Sequence, residues 1–517
     1  MKIIDLLLRA LPALLAAGVA ALYFVHMLQL CSYQFGQYRH YMQKNGQSVF
    51  GLRRMAALLA LLPLVFGKAS ADVPLFYAAM FLGYGVLNRL HKAKKPLVYT
   101  ARVKRLLCTT AVLDVLALLP GLLGLRYGMA VFGAALYLQP LVLLLANWIN
   151  TPVEKAVANH YVQDARRKLE AMPALTVVGI TGSFGKTSTK YFLHTLLSTK
   201  YNVLMTPGNY NTTLGVVRTV REMLSPTHQI FLCEMGARHP GDIKEICDLV
   251  HPRYGVITAI GEQHLESFGS VDTIIRTKFE LYDAVPPDGL VFLNYDNEHI
   301  AAHPGKANVV RYGLEGERDY KATHIRVTED GTEFTIEVGG EQVPFRTRLL
   351  GEHNVQNITA AIAVCHKLGI GLEELQPAVR RLEAVPHRMQ LIRGGAYTVI
   401  DDAYNSNPKG AEAALRTLSM CQGLRILVTP GMVELGQREF ELNKEFGRQA
   451  AQYCDYVALV NPRQAEPIRQ GLLEAGFDEA KLCMADTLQQ ALQFAQGCGQ
   501  PGQPRFVLLE NDLPDNY

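Results

Sequence analysis

Apolar residues crowd into the first 150 positions of this chain, and no other feature constrains its folding so tightly. Leu11 to Leu30 supplies about 20 of them in a row, the length a helix needs to cross a hydrocarbon core. Leu106 to Leu125 and Met129 to Trp148 are long enough to cross as well. Met55 to Gly67 and Pro74 to Leu87 are short for full spans and read as a helical hairpin with Lys68 to Val73 as its turn. A cleaved signal peptide is the alternative for the first run. Its apolar stretch exceeds a normal signal core, however, and no small-x-small cleavage site follows. Leu28-Gln-Leu-Cys31 has the outline of a lipoprotein box, but with a leucine too large for the position before the cysteine.

Charge orients these segments. Ser32 to Arg54 carries Arg39, Lys44, Arg53 and Arg54 with no acid, and Arg89 to Arg105 carries seven cations, again with no acid. The loops between hold only Lys68 with Asp72, and Arg126. The positive-inside rule places both basic loops in the cytoplasm. Five crossings then put the N-terminus outside and everything after Asn150 in the cytoplasm, so the expected localisation is a multi-pass cell-membrane protein with cytoplasmic catalytic domains. Asp114 lies inside the fourth segment, where a carboxylate is costly unless hydrogen-bonded to another helix or functional. Over the whole chain 51 Lys and Arg face 47 Asp and Glu, so no polycationic surface suggests a nucleic-acid partner. A hydrophobic share of 49% excludes a disordered chain. The nine cysteines include no C-x-x-C pair, which argues against a zinc knuckle or disulfide framework and suits a reducing compartment.

Beyond the apolar third the pattern changes. Residues 151–173 read as a polar linker helix, with Val153, Val157, Tyr161, Ala165 and Leu169 on one stripe. From Leu175 onward, β-type apolar runs alternate with amphipathic helices, the signature of α/β domains with parallel sheets. Leu175 to Ile180 reads as a buried strand, Thr181-Gly-Ser-Phe-Gly-Lys-Thr-Ser-Thr189 follows at once, and helical sequence begins at Lys190. Strand, glycine turn and helix are what a phosphate loop requires: backbone N–H groups curl around an anion and the helix N-terminus adds its positive end. Lys186 can reach the β- and γ-phosphates of a nucleotide, and the Thr187 hydroxyl is placed for Mg²⁺. Counted from Gly182 the pattern is G-x-x-G-K-T, tighter than the common phosphate-loop spacing; a glycine turn without a ligand is the bland alternative. A second buried strand, Gln229 to Glu234, ends in an acid able to serve Mg²⁺ directly or through water, or simply to sit solvated at the strand end.

Gly179-Ile-Thr-Gly-Ser-Phe-Gly-Lys-Thr-Ser188 resembles the loop of the Mur ligase family, which forms amide bonds with ATP. The family's other landmarks follow in order: Thr206-Pro-Gly-Asn-Tyr-Asn-Thr212, Glu234-Met-Gly-Ala237, Ala259-Ile-Gly-Glu-Gln-His-Leu-Glu266, Lys278, Asn294-Tyr-Asp296 and Gly351-Glu-His-Asn-Val-Gln-Asn357. Pro386-His-Arg388, Asp401-Asp-Ala-Tyr-Asn-Ser-Asn-Pro408 and Gly431-Met-Val-Glu-Leu-Gly436 complete the set, which covers roughly residues 174 to 460. Several of these stretches are most similar to the branch that adds D-alanyl-D-alanine to UDP-N-acetylmuramoyl-tripeptide. Two departures stand out. Apolar segments occupy the place of the family's UDP-substrate domain, and Phe506-Val-Leu-Leu-Glu-Asn-Asp-Leu-Pro514 stands where that branch has a basic Lys-Gly-Ser-Arg motif.

The resemblance implies a helical transmembrane region (1–150), the linker helix (151–173), a P-loop central ATP-binding domain (174–386) and a Rossmann-like C-terminal domain (387–517). It implies an ATP-dependent amide ligase of peptidoglycan precursor synthesis, working through an acyl phosphate. Gly182, Ser183, Gly185, Lys186, Thr187 and Ser188 would hold the ATP phosphates, Asn354 and Asn357 the adenine side, Arg388 and Asp402 phosphate and ribose. Thr187 and Glu234 would serve one Mg²⁺, and His264 and Lys278 a second, with Lys278 carbamylated by CO₂ so that it can act as a carboxylate. The catalytic set is then Lys186, His264 and Lys278, with Asn209, Asn211 and Asn405 near the substrate. The implied partners are a UDP- or lipid-linked muramoyl-peptide, an amino acid or dipeptide such as D-Ala-D-Ala, and membrane lipid. The lesser alternatives are an ordinary surface lysine for Lys278 and a satisfied core histidine for His264. An ATP-driven transporter and an inactive scaffold are the competing classes; the first lacks a matched pair of ATP sites, and the second does not account for the joint presence of Lys186, Thr187, Glu234, His264 and Lys278.

Overall fold

Proline and glycine placement shapes the apolar third. A computed structural model describes every residue except 1, 68–72, 89–94, 263–264, 304–307, 329–330, 405, 501 and 513–517. The expected hairpin turn at Lys68, much of the second basic loop, His264 and Asn405 therefore lie outside the described residues. The chain divides into two compact units, Met1–His160 and Tyr161–Asp512.

In the first unit, three helical stretches are long and apolar enough to cross a membrane: Ile3–Leu30, Gly46–Val65 and Ala101–Leu122. Two of the five expected segments are not straight, full-length spans. Pro74–Leu87 is a helix of only 14 residues. The fifth run is not one straight helix, because Gly128–Tyr137 and Gln139–Glu170 meet at 82°. Pro140 has no N–H to continue the preceding helical ladder, which accounts for a break at this point. Small residues on the first helix (Ala13, Ala16, Ala17, Ala20) let Tyr77, Phe81 and Phe132 pack close to it. Gln139 donates its amide to both oxygens of Asp114, at 3.2 and 3.1 Å, so that acid is hydrogen-bonded to another helix. The linker stripe continues the helix Gln139–Glu170 without interruption.

The second unit holds two sheets. The larger has nine strands in the order β2-β3-β1-β4-β5-β6-β7-β8-β9. They are β1 Thr176–Thr181, β2 Val203–Met205, β3 Ile230–Glu234, β4 Tyr254–Ile257, β5 Leu290–Asn294, β6 Val309–Gly313, β7 Tyr320–Thr328, β8 Gly331–Val338 and β9 Glu341–Thr347. The run from β2 to β7 is parallel, and β8 and β9 extend it as an antiparallel meander. Parallel strands buried on both faces read as continuous apolar runs with alternate residues on opposite sides. Val178, Ile180 and Leu232 accordingly enter one core with helices Lys186–Leu197 and Glu352–Lys367, while Val177, Phe231 and Cys233 enter another with helices Thr213–Met223 and Val271–Ala284. Val162, Ala165 and Leu169 pack into that second core.

The smaller sheet has the order β10-β11-β15-β12-β13-β14. Its strands are β10 Gln390–Ile392, β11 Thr398–Asp402, β12 Leu424–Thr429, β13 Tyr456–Val460, β14 Leu482–Ala485 and β15 Arg505–Glu510, parallel except for β10. The α/β class with a P-loop central region and a doubly wound C-terminal region is as the sequence implies. All nine cysteines are free thiols.

Candidate active site

In an open parallel sheet, ligands bind outside the carboxyl ends of the strands where the strand order reverses. Here β1 lies between β3 and β4, both entered by crossovers, and the glycine turn follows β1 at that point. Gly182 (φ +150°) and Gly185 (φ +82°) take backbone conformations that other residues adopt only with strain. A Cβ on Gly182 would lie 2.2 Å from Thr258 Oγ1, so the turn is also too tightly packed for a side chain. Helix Lys186–Leu197 begins directly after Gly185, with its first amides facing the turn.

Lys186 bends back over the turn, donating to the carbonyls of Gly182 (2.6 Å) and Ser183 (3.0 Å). Burial lowers its pKa to about 8; nearby Glu234 works against that and Arg388 with it. Ser183 is itself fixed: its amide donates to Ala259 O and its hydroxyl to Gly261 O. Thr187 donates its hydroxyl to Glu234 Oε1 at 3.2 Å, which brings the two metal-serving residues expected from the sequence together.

Glu234 has more partners than sequence reasoning supplied. Asn211 donates its side-chain amide to Oε1 (3.1 Å), and the fully buried Lys190 ammonium lies 2.9 Å from Oε2 and donates to Gly208 O. Burial alone would raise the Glu234 carboxyl, but Lys190 and Lys186 outweigh it and hold the group below the usual glutamate range. Lys190 went unrecognised because it reads as the first residue of an amphipathic helix. The signal that could have found it is its place one turn after Lys186, on the same face.

Lys278 is not a surface lysine: it is 3% exposed on helix Val271–Ala284. Burial, and then the charge of Lys186, lower its pKa to about 7, against the pull of Asp242 and Glu280. Among the described residues no three His, Cys, Asp or Glu side chains cluster as a ready metal site. The donors that do converge, a hydroxyl and a carboxylate beside a P-loop, match the oxygen preference of Mg²⁺. A buried amine near neutrality has the free lone pair that carbamylation needs.

A cleft of about 500 Å³ opens between the two sheets' domains. Phe184, Asn294, Asp296, His353 and Gln356 line it on one side, and Lys409, Arg416 and Thr417 on the other. Gln356 donates to Asn294 Oδ1 (3.2 Å) and Asp296 Oδ2 (2.9 Å), tying the wall together. The buried Nε2 of His353 has no hydrogen-bond partner among the described residues, and burial lowers the pKa of its ring to about 4. Two asparagines are expected on the adenine side. Asn354 donates inward to Leu350 O, and Asn357 accepts from Thr189 and faces Gly185. Of the remaining candidates, Ser188 is half-buried on the helix and Asn209 is exposed.

The far wall of the site is the end of the smaller sheet. The Arg388 guanidinium lies 4.3 Å from the Tyr404 ring. Asp402 ends β11 beside Glu510, which ends β15. Arg238 pairs with Glu434 at 3.5 Å and Arg438 with Glu262, linking the two domains of this unit across the opening.

Residues 180–365 match the Mur ligase middle domain, and residues 387–509 match the Mur ligase, glutamate ligase domain. Among curated proteins, the chain is 35% identical to the UDP-N-acetylmuramoyl-tripeptide--D-alanyl-D-alanine ligase of Bacillus subtilis, over 52% of this chain and 59% of that protein. It is 33% identical to the Escherichia coli protein of that name, over 53% of this chain and 62% of the relative. The chain thus matches only about six-tenths of the length of these relatives. Among solved structures, MurF from Acinetobacter baumannii superposes with a TM-score of 0.62 at 29% identity, covering 69% of this chain and 77% of that one. MurF ligase from Thermotoga maritima in complex with ADP gives 0.62 at 27%, covering 69% and 80%. From Ile180 to Leu509, then, the chain is built of the middle and C-terminal domains of the Mur ligase family, and to that family it belongs.

Proposed function

We propose that this chain is an ATP-dependent amide ligase of peptidoglycan precursor synthesis that joins D-alanyl-D-alanine to a muramoyl-tripeptide. In this reading 174–386 form the ATP-binding domain and 387–517 the C-terminal domain. One observation carries it: the glycine turn, Lys186, Thr187 and Glu234 meet at the strand-order reversal of the larger sheet, beside a cleft walled by both domains. The relatives' names supply the substrates, and a solved relative carries ADP.

The chemistry requires two anions, a substrate carboxylate and the γ-phosphate, to approach each other. A carboxylate oxygen attacks the γ-phosphorus and ADP leaves; the amine nitrogen then attacks the acyl carbon and phosphate leaves with that oxygen. The protein's task is positioning and charge neutralisation. The turn amides of Gly182 and Gly185 cradle the phosphates, and Ser183 holds the turn in shape through Ala259 and Gly261. Lys186 exchanges its two carbonyl partners for phosphate oxygens, whose charge raises its pKa again and holds it as a cation. Asn211 and Lys190 fix Glu234 for its metal role, and Arg388 and Asp402 take the nucleotide from the C-terminal side. Thr187 and Glu234 would hold one Mg²⁺, and a carbamylated Lys278 with His264 a second; such ions supply positive charge between the reacting anions.

Localisation follows from the first unit. Its long helices expose Leu116, Leu141 and Trp148, as a lipid-facing surface does, and its basic stretches mark the cytoplasmic side. We read it as a membrane anchor, with the ligase in the cytoplasm. That anchor favours a second reading of the substrate, a lipid-linked muramoyl-peptide in place of the UDP-linked one. Purified protein is to be given ATP, D-Ala-D-Ala and each precursor in turn, with products weighed by mass spectrometry. Phosphate release that needs both acid and amine supports the ligase, the precursor consumed decides between the two substrates, and release without either substrate overturns the reading.

A further inference from the structure

Asp402 and Glu510 are partners in register on adjacent parallel strands, both at the carboxyl end of the smaller sheet. Glu510 is 1% exposed, and Asp402 is half-buried in front of it. Ser406 donates its hydroxyl to Glu510 Oε1. Glu510 Oε2 is buried with no protein donor among the described residues, and the strand register sets the Asp402 carboxyl beside this side chain. On the other side, the Met389 amide donates to Asp402 Oδ1 at 3.1 Å. Two carboxyls set side by side out of water repel unless one of them carries a proton, and a proton on the orphaned Oε2 would give that atom the partner it lacks.

The surrounding charges agree. Arg388 is the cation acting on both carboxyls; Asp401, next to Asp402 in the strand, is itself tied to His387 at 2.8 Å, and Ser406 is neutral. With one proton, the pair and Arg388 sum to zero charge; without it a buried negative charge is left over. Burial, and then Asp402, push Glu510 well above the usual glutamate range.

We propose that Glu510 is a positioning residue: it donates its proton to Asp402 and so aims that carboxylate, beside Arg388, at the nucleotide. The inference rests on the ATP reading above for its ligand, and on the strand geometry for its proton. It also gives a role to the acidic tail that replaces the family's basic motif. Loss of the proton sets two carboxylates against each other, turns Asp402 away and adds negative charge where the nucleotide binds.

Two measurements test it on the full-length chain. Infrared difference spectra between wild type and Glu510→Gln at neutral pH should show a protonated-carboxyl band belonging to the wild type; its absence overturns the shared proton. ATP dissociation constants across alkaline pH should then diverge. Wild type weakens by up to about tenfold per pH unit, relative to Glu510→Gln, once the pair ionises. The glutamine variant, a permanent donor, keeps its affinity within about threefold of wild type near neutrality, whereas Glu510→Leu loses at least about tenfold at every pH, in line with a lost hydrogen bond to a charged group. A wild-type to glutamine ratio that does not change with pH overturns the proposal while leaving the ligase reading intact. Failure of wild type to bind ATP at any pH overturns both.

Discussion

Lys186, Lys190 and Lys278 are three ammonium groups in one small region, each handled differently. Lys186 is held by carbonyls that a phosphate can replace, Lys190 is committed to a buried carboxylate, and Lys278 is driven toward neutrality. Lys186→Ala should leave the fold intact and cut ATP turnover by at least about 10²-fold, as expected for loss of charge stabilisation at a transferring phosphoryl group. Steady-state phosphate release, with a thermal melt as control, checks this. Lys190→Met removes the cation from a buried pair and should destabilise the protein by about 3 kcal/mol. The double variant with Glu234→Gln should recover much of that loss in urea unfolding. The pH dependence has a definite sign. Glu234 is depressed in the folded state, so its contribution is present above the usual glutamate value of 4.5 and is lost as pH falls through the lower folded value. Wild type should therefore lose more stability than Glu234→Gln on acidification below that point, measured by denaturant titration at successive pH values.

At the scale of elements, the strand–turn–helix Thr176–Leu197 is the unit on which the site depends. Its turn works because two glycines place backbone amides where side chains would collide. Gly182→Ala would demand a disfavoured φ and push a methyl group into Thr258, for a cost of roughly 1–3 kcal/mol in local strain. ATP affinity, read by calorimetry, should fall by at least about tenfold even if the melt is little changed, because 1.4 kcal/mol at the turn already amounts to that factor. This element was legible in the sequence because every part of it is a neighbour in the chain. The contacts of Asn354 and Asn357 were not. On helix Glu352–Lys367 the helical phase turns Asn354 to Leu350, sets Asn357 against Gly185 of the turn and gives the cleft wall to His353 and Gln356. Which face of a helix meets a cleft depends on what packs behind it, and no motif states that.

Over the whole molecule, the two units have separate cores. Every residue of the cores that flank the two sheets falls between Val162 and Leu509, so a chain starting at Tyr161 should fold and melt cooperatively without detergent. A chain starting at Leu175 loses Val162, Ala165 and Leu169 from the second core and should be less stable by roughly 2–3 kcal/mol on area grounds. Comparing the two by urea denaturation tests whether the last turns of the long helix belong to the ligase unit. The membrane reading makes a topological claim of its own. A cysteine placed at Arg126 should be labelled from outside intact cells by an impermeant reagent, and one at Lys95 should be protected. Labelling at Lys95 would put the ligase unit on the wrong side for ATP.

By itself, the sequence determined the features that adjacent residues decide: apolar stretches of membrane length, the phosphate-binding turn, parallel-sheet domains, and through ordered motifs the family. Glycine's freedom, side-chain alternation and helix caps act over a few residues, so they can be read along the chain. Tertiary structure alone decided the rest. It brought Asn211 and Lys190 onto Glu234, buried Lys278, bent the fifth apolar run at Leu138, and set Glu510 against Asp402 across more than a hundred residues by inserting β15 between β11 and β12. Those outcomes depend on strand order and on desolvation, which arise only when distant segments exclude water together.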